Sequence, residues 1–336
     1  MQQKYLHILI CPLDWGLGHA ARCIPVIDKL LESGHKVTIA GNGRSLVMLQ
    51  TEFPLLESIE LPGFSPTYSR NGNMVLHLLL RLPLFISSIQ REHKQLKAIL
   101  SKQKIDIIIS DNRYGLWDKN TMSILITHQV IIKAPDWLRF AEYFLYRVSR
   151  WMIVKFDKCW VPDNKEAPGL SGDLSHFYPN PRNVRFIGPL SRFQETDFKK
   201  QNLNRVGKIV AVISGPEPQR SIFERLITKQ LMELDQEAVI IGGKPECGQT
   251  PVIRKNLTFM PYMKTNELRS LITTSDLVVC RSGYSSIMDL QALGAKALFV
   301  PTPGQTEQIY LARLHSQAEI SFWCEQDKLD LKKNIP

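Results

Sequence analysis

Apolar runs of strand length alternate with stretches of helical apolar period from one end of the chain to the other. Tyr5–Cys11 is such a run; Ile24, Ile27, Leu30 and Leu31 then share one face of a helix expected from about His19 to Gly34, and Val37–Ala40 is a second short run. A strand, a helix and a strand in succession imply a parallel sheet. Ile105–Ser110, Ser123–Ile126, Lys158–Pro162 and Val184–Ile187 extend this sheet, with a further short strand around Ser58–Leu61 inside the loop-like residues 53–73 and a long helix over Met74–Leu100. Lys208–Ser214, Ala238–Ile241, Leu257–Met260, Leu277–Cys280 and Ala297–Val300 repeat the alternation. The fold class is therefore α/β with two Rossmann-like parallel-sheet domains. Residues 1–187 form the first and 207–336 the second, joined by the polar, charged linker 188–206.

The stretch Ser275–Ala312 gathers the most chemistry. After the run Leu277–Cys280 comes a small-residue turn, Arg281, Ser282, Gly283, and then a helix whose apolar positions Ile287, Leu290 and Leu293 precede Gly294. A Ser-Gly turn entering a helix leaves first-turn N–H groups unpaired and aims the positive end of the dipole at one spot, which suits a phosphate. Asp289 follows about two turns into that helix, and the next loop carries Glu307 and Gln308, side chains able to grip ribose or sugar hydroxyls. Phosphate, ribose and hexose binders on successive strand ends describe a nucleotide sugar.

These residues carry a resemblance. RSGYSSIMD followed by PTPGQTEQIYLA resembles the donor-binding signature of the GT-B glycosyltransferases of the MurG type, which move N-acetylglucosamine from UDP onto a lipid-linked acceptor; FMPYM (Phe259–Met263) and GLGHAAR (Gly16–Arg22) resemble two further loops of that family. The likeness is densest over the last third of the chain. It implies two domains facing a cleft, with the acceptor held by the first and the UDP-sugar, a co-substrate rather than a cofactor, by the second. It also implies that the backbone at Met260 reads the uracil edge, that Asp289 takes the ribose-binding acidic position where Glu is usual, and that Glu307 and Gln308 contact the hexose. No metal is implied, and the chain contains no D-x-D motif.

Glycosyl transfer needs a base for the acceptor hydroxyl and charge stabilisation at the departing diphosphate. The base assigned is His19, which stands at the end of the first strand with a side chain suited to proton transfer near neutrality. Asp14 is its reserve, as the base itself or as the group orienting His19. The diphosphate is assigned to Gly18, Ser214, Arg220, Arg281, Ser282, Gly283, Ser285 and Ser286. Arg220 is expected to compensate for prolines in the Ser214-Gly215-Pro216-Glu217-Pro218 turn, where N–H donors are lost. Asp111, Asn112, Arg113 and His128 stand just after strands and are expected on the acceptor side. Gly16, Gly18 and Ala21 also match a dinucleotide fingerprint, but the strand that should end in a ribose-binding acid ends at Ala40.

Charge adds a possible surface. The net charge is +10, and Lys plus Arg exceed Asp plus Glu by 7 within residues 1–185. No nucleic-acid-binding motif accompanies the excess, whereas Trp137–Trp160 interleaves aromatic and basic residues as a lipid-facing segment would. A core-packing helix with snorkelling basic side chains is the alternative for that segment. The six cysteines show no metal-ligand spacing and read as reduced thiols. No apolar run is long enough to span a bilayer, and the first residues do not read as a leader. Together these place the protein in the cytoplasm, in peripheral contact with anionic lipid at the inner face of the membrane. The functional expectation is an inverting, metal-independent hexosyltransferase acting on a lipid-linked or envelope acceptor. A nucleotide-sugar hydrolase or a non-catalytic nucleotide-sugar-binding protein are the alternatives on the same fold.

Overall fold

The computed structural model of the chain describes residues 5–63, 82–134, 136–193, 207–316 and 321–334. Two compact units are present. The first ends at Leu190 and the second begins at Ser191, with Gly16–Gly18 grouped in the second.

In the first unit β1 (His7–Pro12), β2 (Lys36–Gly41), β3 (Glu57–Glu60), β4 (Ile107–Asp111), β5 (Met122–Ile126), β6 (Lys158–Val161) and β7 (Val184–Phe186) form a parallel sheet in the order β3-β2-β1-β4-β5-β6-β7. Strands buried on both faces need near-continuous apolar runs, and β1 is buried along all but its first residue. The order reverses between β1 and β4, where Pro12 and Asp111 are Cα partners. In an open α/β sheet that reversal opens a crevice at the carboxyl ends of the strands. The helix Leu17–Glu32 starts there and closes at Gly34 (φ +74), where Gly34 N–H donates to Leu31 O and His35 N–H to Leu30 O, a Schellman arrangement that glycine adopts without strain.

The second unit repeats the logic with β8 (Ile209–Val212), β9 (Ala238–Ile241), β10 (Val252–Arg254), β11 (Leu257–Met260), β12 (Leu277–Cys280), β13 (Ala297–Phe299) and β14 (Ser321–Trp323). Their order is β10-β11-β9-β8-β12-β13-β14, parallel except for β10 against β11. Its core joins Ile209, Ala211, Val279 and Leu298 to Phe223, Ile227 and Leu231 of the helix Gln219–Leu231.

Several boundaries differ from expectation. The long helix is observed as Leu82–Leu100, and the expected residues before it lie outside the described ones. Helices Gly43–Glu52 and Thr265–Thr274 and the short edge strands β10 and β14 are not among the elements expected from sequence. The unit boundary falls inside the stretch expected as a linker: Phe193 is fully buried in the second unit, while 194–206 lie outside the described residues.

Arg113, expected on the acceptor side, is instead a structural fastener just past β4. It is buried, donates from Nε to Glu92 Oε1 at 3.0 Å, and caps the carbonyls of Leu61 (2.9 Å) and Pro62 (3.2 Å). Burial pushes the Glu92 carboxyl up, opposed by Arg113. Arg113→Met should therefore cost about 3–5 kcal/mol by leaving a buried carboxylate unpaired, read as a lowered urea midpoint with an unchanged m-value.

Candidate active site and donor loops

In the first unit, His19 and Arg22 lie one turn apart on the helix that follows β1, so both face the end of β4. His19 Nδ1 is 2.7 Å from Asp111 Oδ1. Arg22 forks onto the same carboxylate, Nε to Oδ2 and Nη2 to Oδ1. Asp111 is completely buried. Burial alone would raise its pKa, but the charges of Arg22 and His19 and their hydrogen bonds outweigh this and hold it at about 2. Arg22 Nη2 also lies 3.0 Å from His19 Nδ1, but it donates to Asp111 Oδ1, and that ionised oxygen, an acceptor only, is the nearer neighbour of Nδ1; the proton is therefore placed on Nδ1, which leaves Nε2 as the lone-pair nitrogen of the neutral ring. The His19 side chain is 19% exposed, and Nε2 has no hydrogen-bond partner among the described residues. Arg22 Nη1 lies 2.9 Å from His128 Nδ1, which therefore accepts.

These contacts revise the sequence assignments. Asp111, not Asp14, orients His19, because β4 lies beside β1 in the sheet. Asp14 is half-buried with Oδ1 unpartnered, its pKa raised by burial against the pull of Arg113. His128 is buried behind Arg22 rather than offered to an acceptor. Asn112 sits in the left-handed region (φ 53), which asparagine tolerates, donates its N–H to Ile126 O, and leaves Oδ1 unpartnered. Arg22 was missed, although its place three residues after His19 in a helical period was legible.

In the second unit the helix Tyr284–Leu293 begins at Gly283 (φ −73, ψ 145) with no side-chain cap, and a Cβ added at Gly283 would meet nothing within 4 Å. Ser286 is half-buried in its first turn, while Ser285 Oγ donates to the Gly18 carbonyl at 2.8 Å. Ser214 is half-buried just past β8, the strand next to β12, and precedes Gly215 (φ +103), where an added Cβ also meets open space. Met260 ends β11 with its carbonyl accepting from Gly242 N–H at 2.7 Å. Glu307 is half-buried in the first turn of the helix Thr306–His315.

Other side chains assigned to the donor meet partners within the protein. Arg281 is buried, donating to the carbonyls of Val300, Pro301 and Gln219 and to Gln326 Oε1, with its guanidinium 4.0 Å over the Phe223 ring. Arg220 is likewise buried against Gly242 O and Glu224. Each guanidinium serves carbonyls at a strand end, and Arg220 Nη1 lies 3.5 Å from Glu217 Oε1. Ser282 Oγ, assigned to the diphosphate, donates to Gln308 O, and Gln308 Oε1, assigned to the sugar, accepts from Thr302 N–H, so both side chains hold the loop. Asp289 is buried, with Ser191 Oγ at 2.8 Å and Arg192 Nε at 3.0 Å occupying its two oxygens. Burial raises its pKa and Arg192 opposes this. Ser191 and Arg192 fell in the stretch read as linker, where nothing in the sequence signals a buried partner.

Comparison with known proteins fits this arrangement. The model of the glycosyltransferase family 28 C-terminal domain matches residues 210–335, and that of glycosyl transferase family 1 matches residues 7–129. An uncharacterised glycosyltransferase of Methanosarcina acetivorans is 23% identical over 319 residues, covering 90% of this chain and 81% of its own. The UDP-N-acetylglucosamine–N-acetylmuramyl-(pentapeptide) pyrophosphoryl-undecaprenol N-acetylglucosamine transferase of Sulfurihydrogenibium is 22% identical over 287 residues, 85% of this chain and 75% of its own. Among solved structures, the spinosyn rhamnosyltransferase SpnG complexed with thymidine diphosphate superposes with a TM-score of 0.59 at 16% identity, covering 95% of this chain and 86% of that one. With two parallel-sheet units, each matched by a glycosyltransferase family model, the chain is a glycosyltransferase of GT-B fold, similar to the MurG-type enzymes.

Proposed function

We propose that the chain transfers N-acetylglucosamine from UDP to a hydroxyl of a lipid-linked or envelope acceptor, with inversion and without a metal ion. The observation that carries the reading is His19, held by Asp111 through Nδ1 with Nε2 left open. Nε2 takes the acceptor proton as the acceptor oxygen bonds to the anomeric carbon. The bond from that carbon to the UDP oxygen breaks, and its electron pair leaves with the diphosphate. Attack opposite the leaving group inverts the centre. In the second unit the first turn of the Tyr284 helix, with Gly283 and Ser286, and Ser214 beside it receive the diphosphate charge. Gly18 and Ser285 hold one another at the same helix start, the Met260 backbone takes the base, and Glu307 takes sugar hydroxyls. The family match over 210–335 and the printed substrate of the Sulfurihydrogenibium relative support UDP and N-acetylglucosamine.

The same reading places the first unit on an anionic membrane. No helix among the described residues is long and apolar enough to cross one. The helix Glu142–Ile153 buries Tyr146, Ser149, Met152 and Ile153 on one side, while Trp137 (71%), Phe140 (81%), Phe144 (67%) and Trp151 (61%) are exposed. Arg139, Arg147 and Arg150 are exposed among them, and Lys155 Nζ lies 3.6 Å over the Trp151 ring. Rings at headgroup depth flanked by cations suit such a surface, each cation contributing roughly 1 kcal/mol.

Three outcomes follow. In a thermal-shift panel of nucleotides and nucleotide sugars, UDP-N-acetylglucosamine at about 100 times its Kd should stabilise the protein by about 2.7 kcal/mol, and His19→Ala should keep that shift while turnover falls roughly 10²–10⁴-fold. A hydrolase would consume donor without acceptor. Asp111, held at about 2 against an ordinary value near 3.8, contributes stability that is present above about pH 4 and lost as the pH falls through 2; Asp111→Asn should flatten that acid limb in a denaturation series. The full chain should float with anionic but not zwitterionic vesicles, less so in moderate salt, and a Phe140→Ser/Phe144→Ser variant should stay at the bottom.

A further inference from the structure

We propose that Arg22 is a positioning residue that sets the proton affinity of His19 by neutralising Asp111. The inference rests on the reading of His19 as base, and its test is chosen to give an answer even if that reading fails. An unopposed carboxylate beside an imidazole favours the imidazolium, because an opposite charge within about 4–6 Å typically moves a pKa by 1–3 units. A histidine held that way would already carry a proton at neutral pH and could not accept one from a hydroxyl. Asp111 has two jobs that conflict here: it must stay ionised to hold the Nδ1 proton of His19, yet must not over-stabilise the charged ring.

The fork resolves the conflict. Both oxygens of Asp111 take guanidinium N–H groups from Arg22, and both residues are almost wholly out of solvent, where charges are little screened. What His19 senses is a compact ion pair rather than a net negative charge. The third arm of Arg22 is spent on His128 Nδ1 at 2.9 Å, which fixes the plane of the guanidinium and requires a lone pair on that nitrogen, so His128 is neutral with its proton on Nε2. The array of His19, Asp111, Arg22 and His128 thus sums to zero charge with both rings neutral.

The thiols and the phenol packed against it add no charge to that sum. Cys23 Sγ is 3.9 Å from Asp111 Oδ2 on the same helix as Arg22, and burial holds its thiol protonated. Cys11 on β1 and Tyr114 after β4 are pushed up to about 12 by burial. Asp14, in the loop after β1, is the further carboxylate whose field reaches His19, and it faces Arg113, itself paired with Glu92.

The test is a titration of the His19 imidazole by 1H–13C correlation at Cε1, with the resonance identified by its loss in His19→Gln. In Arg22→Met the midpoint should rise by about one unit or more. In Arg22→Lys, which keeps a positive charge beside Asp111, it should return most of the way to the parent value, and in Arg22→Met/Asp111→Asn the rise should vanish. Where transfer is measurable, the acid limb of the kcat pH profile should move with the titration. A folded Arg22→Met protein whose His19 titrates at the parent midpoint overturns the proposal; if that variant does not fold, Arg22→Gln decides on the same criterion. A shifted titration together with full activity in His19→Ala would uphold the electrostatic role and reject the base.

Discussion

Arginines buried at the ends of parallel strands hold each unit together from within. Among the described residues, Arg22, Arg113, Arg220 and Arg281 are the four largest side chains that are fully buried, and each lies just past a strand or in the helix that follows one. A parallel sheet leaves loop carbonyls pointing inward where its strands stop, and a guanidinium, with five donors in a rigid fork, can satisfy several at once. Burying the cation is costly unless it is paired. Arg22 has Asp111, Arg113 has Glu92, and Arg220 has Glu224. Arg281 has carbonyls, one glutamine side chain and the face of Phe223 instead, and burial lowers its pKa to about 9.

One of these fasteners has chemical consequences. The pair that joins the β1 and β4 ends in the first unit also aligns an imidazole, so a structural requirement and the proposed catalytic one are met by the same carboxylate. That economy explains why Asp111 is buried and strongly ionised while His19 keeps its second nitrogen open. In the second unit the corresponding strand end is closed by Arg281, and the groups left for a ligand are backbone and small: Gly283, Ser286 and the turn at Ser214 and Gly215. A site made of amides and hydroxyls suits a phosphate that must be released after each turnover, because it neutralises charge without a fixed counter-ion.

The ambiguity of polar residues near these strand ends has one cause. Arg220, Arg281, Asp289 and Gln308 are polar residues near strand ends in a chain that resembles nucleotide-sugar enzymes, and polarity there fits a ligand contact and a loop fastener equally well. The distinction is made by partners far along the chain: Asp289 is taken by Ser191 and Arg192, 98 and 97 residues away, and Arg281 reaches Gln219, 62 residues away. The exposed aromatic face of Glu142–Ile153 was half legible in the same sense. Its composition suggested either a surface or a core helix, and the structure shows a helix that is both, with Tyr146 stacked on Tyr178 at 4.7 Å on the buried side.

The order of apolar runs by itself determined the α/β class, the two parallel sheets, their principal strands and the helix ends at Gly34 and Gly294, since burial on both faces demands continuous apolar strands and left-handed closure favours glycine. The GLGH stretch and the resemblance it carries singled out His19, which lies in the first turn of the helix after β1. Tertiary structure alone decided what His19 meets. Asp111 lies 92 residues away and becomes its neighbour only because β4 enters the sheet beside β1, bringing Pro12 and Asp111 into register. Sequence period sets which residues are buried, but the order in which strands pair decides which buried charges must neutralise one another.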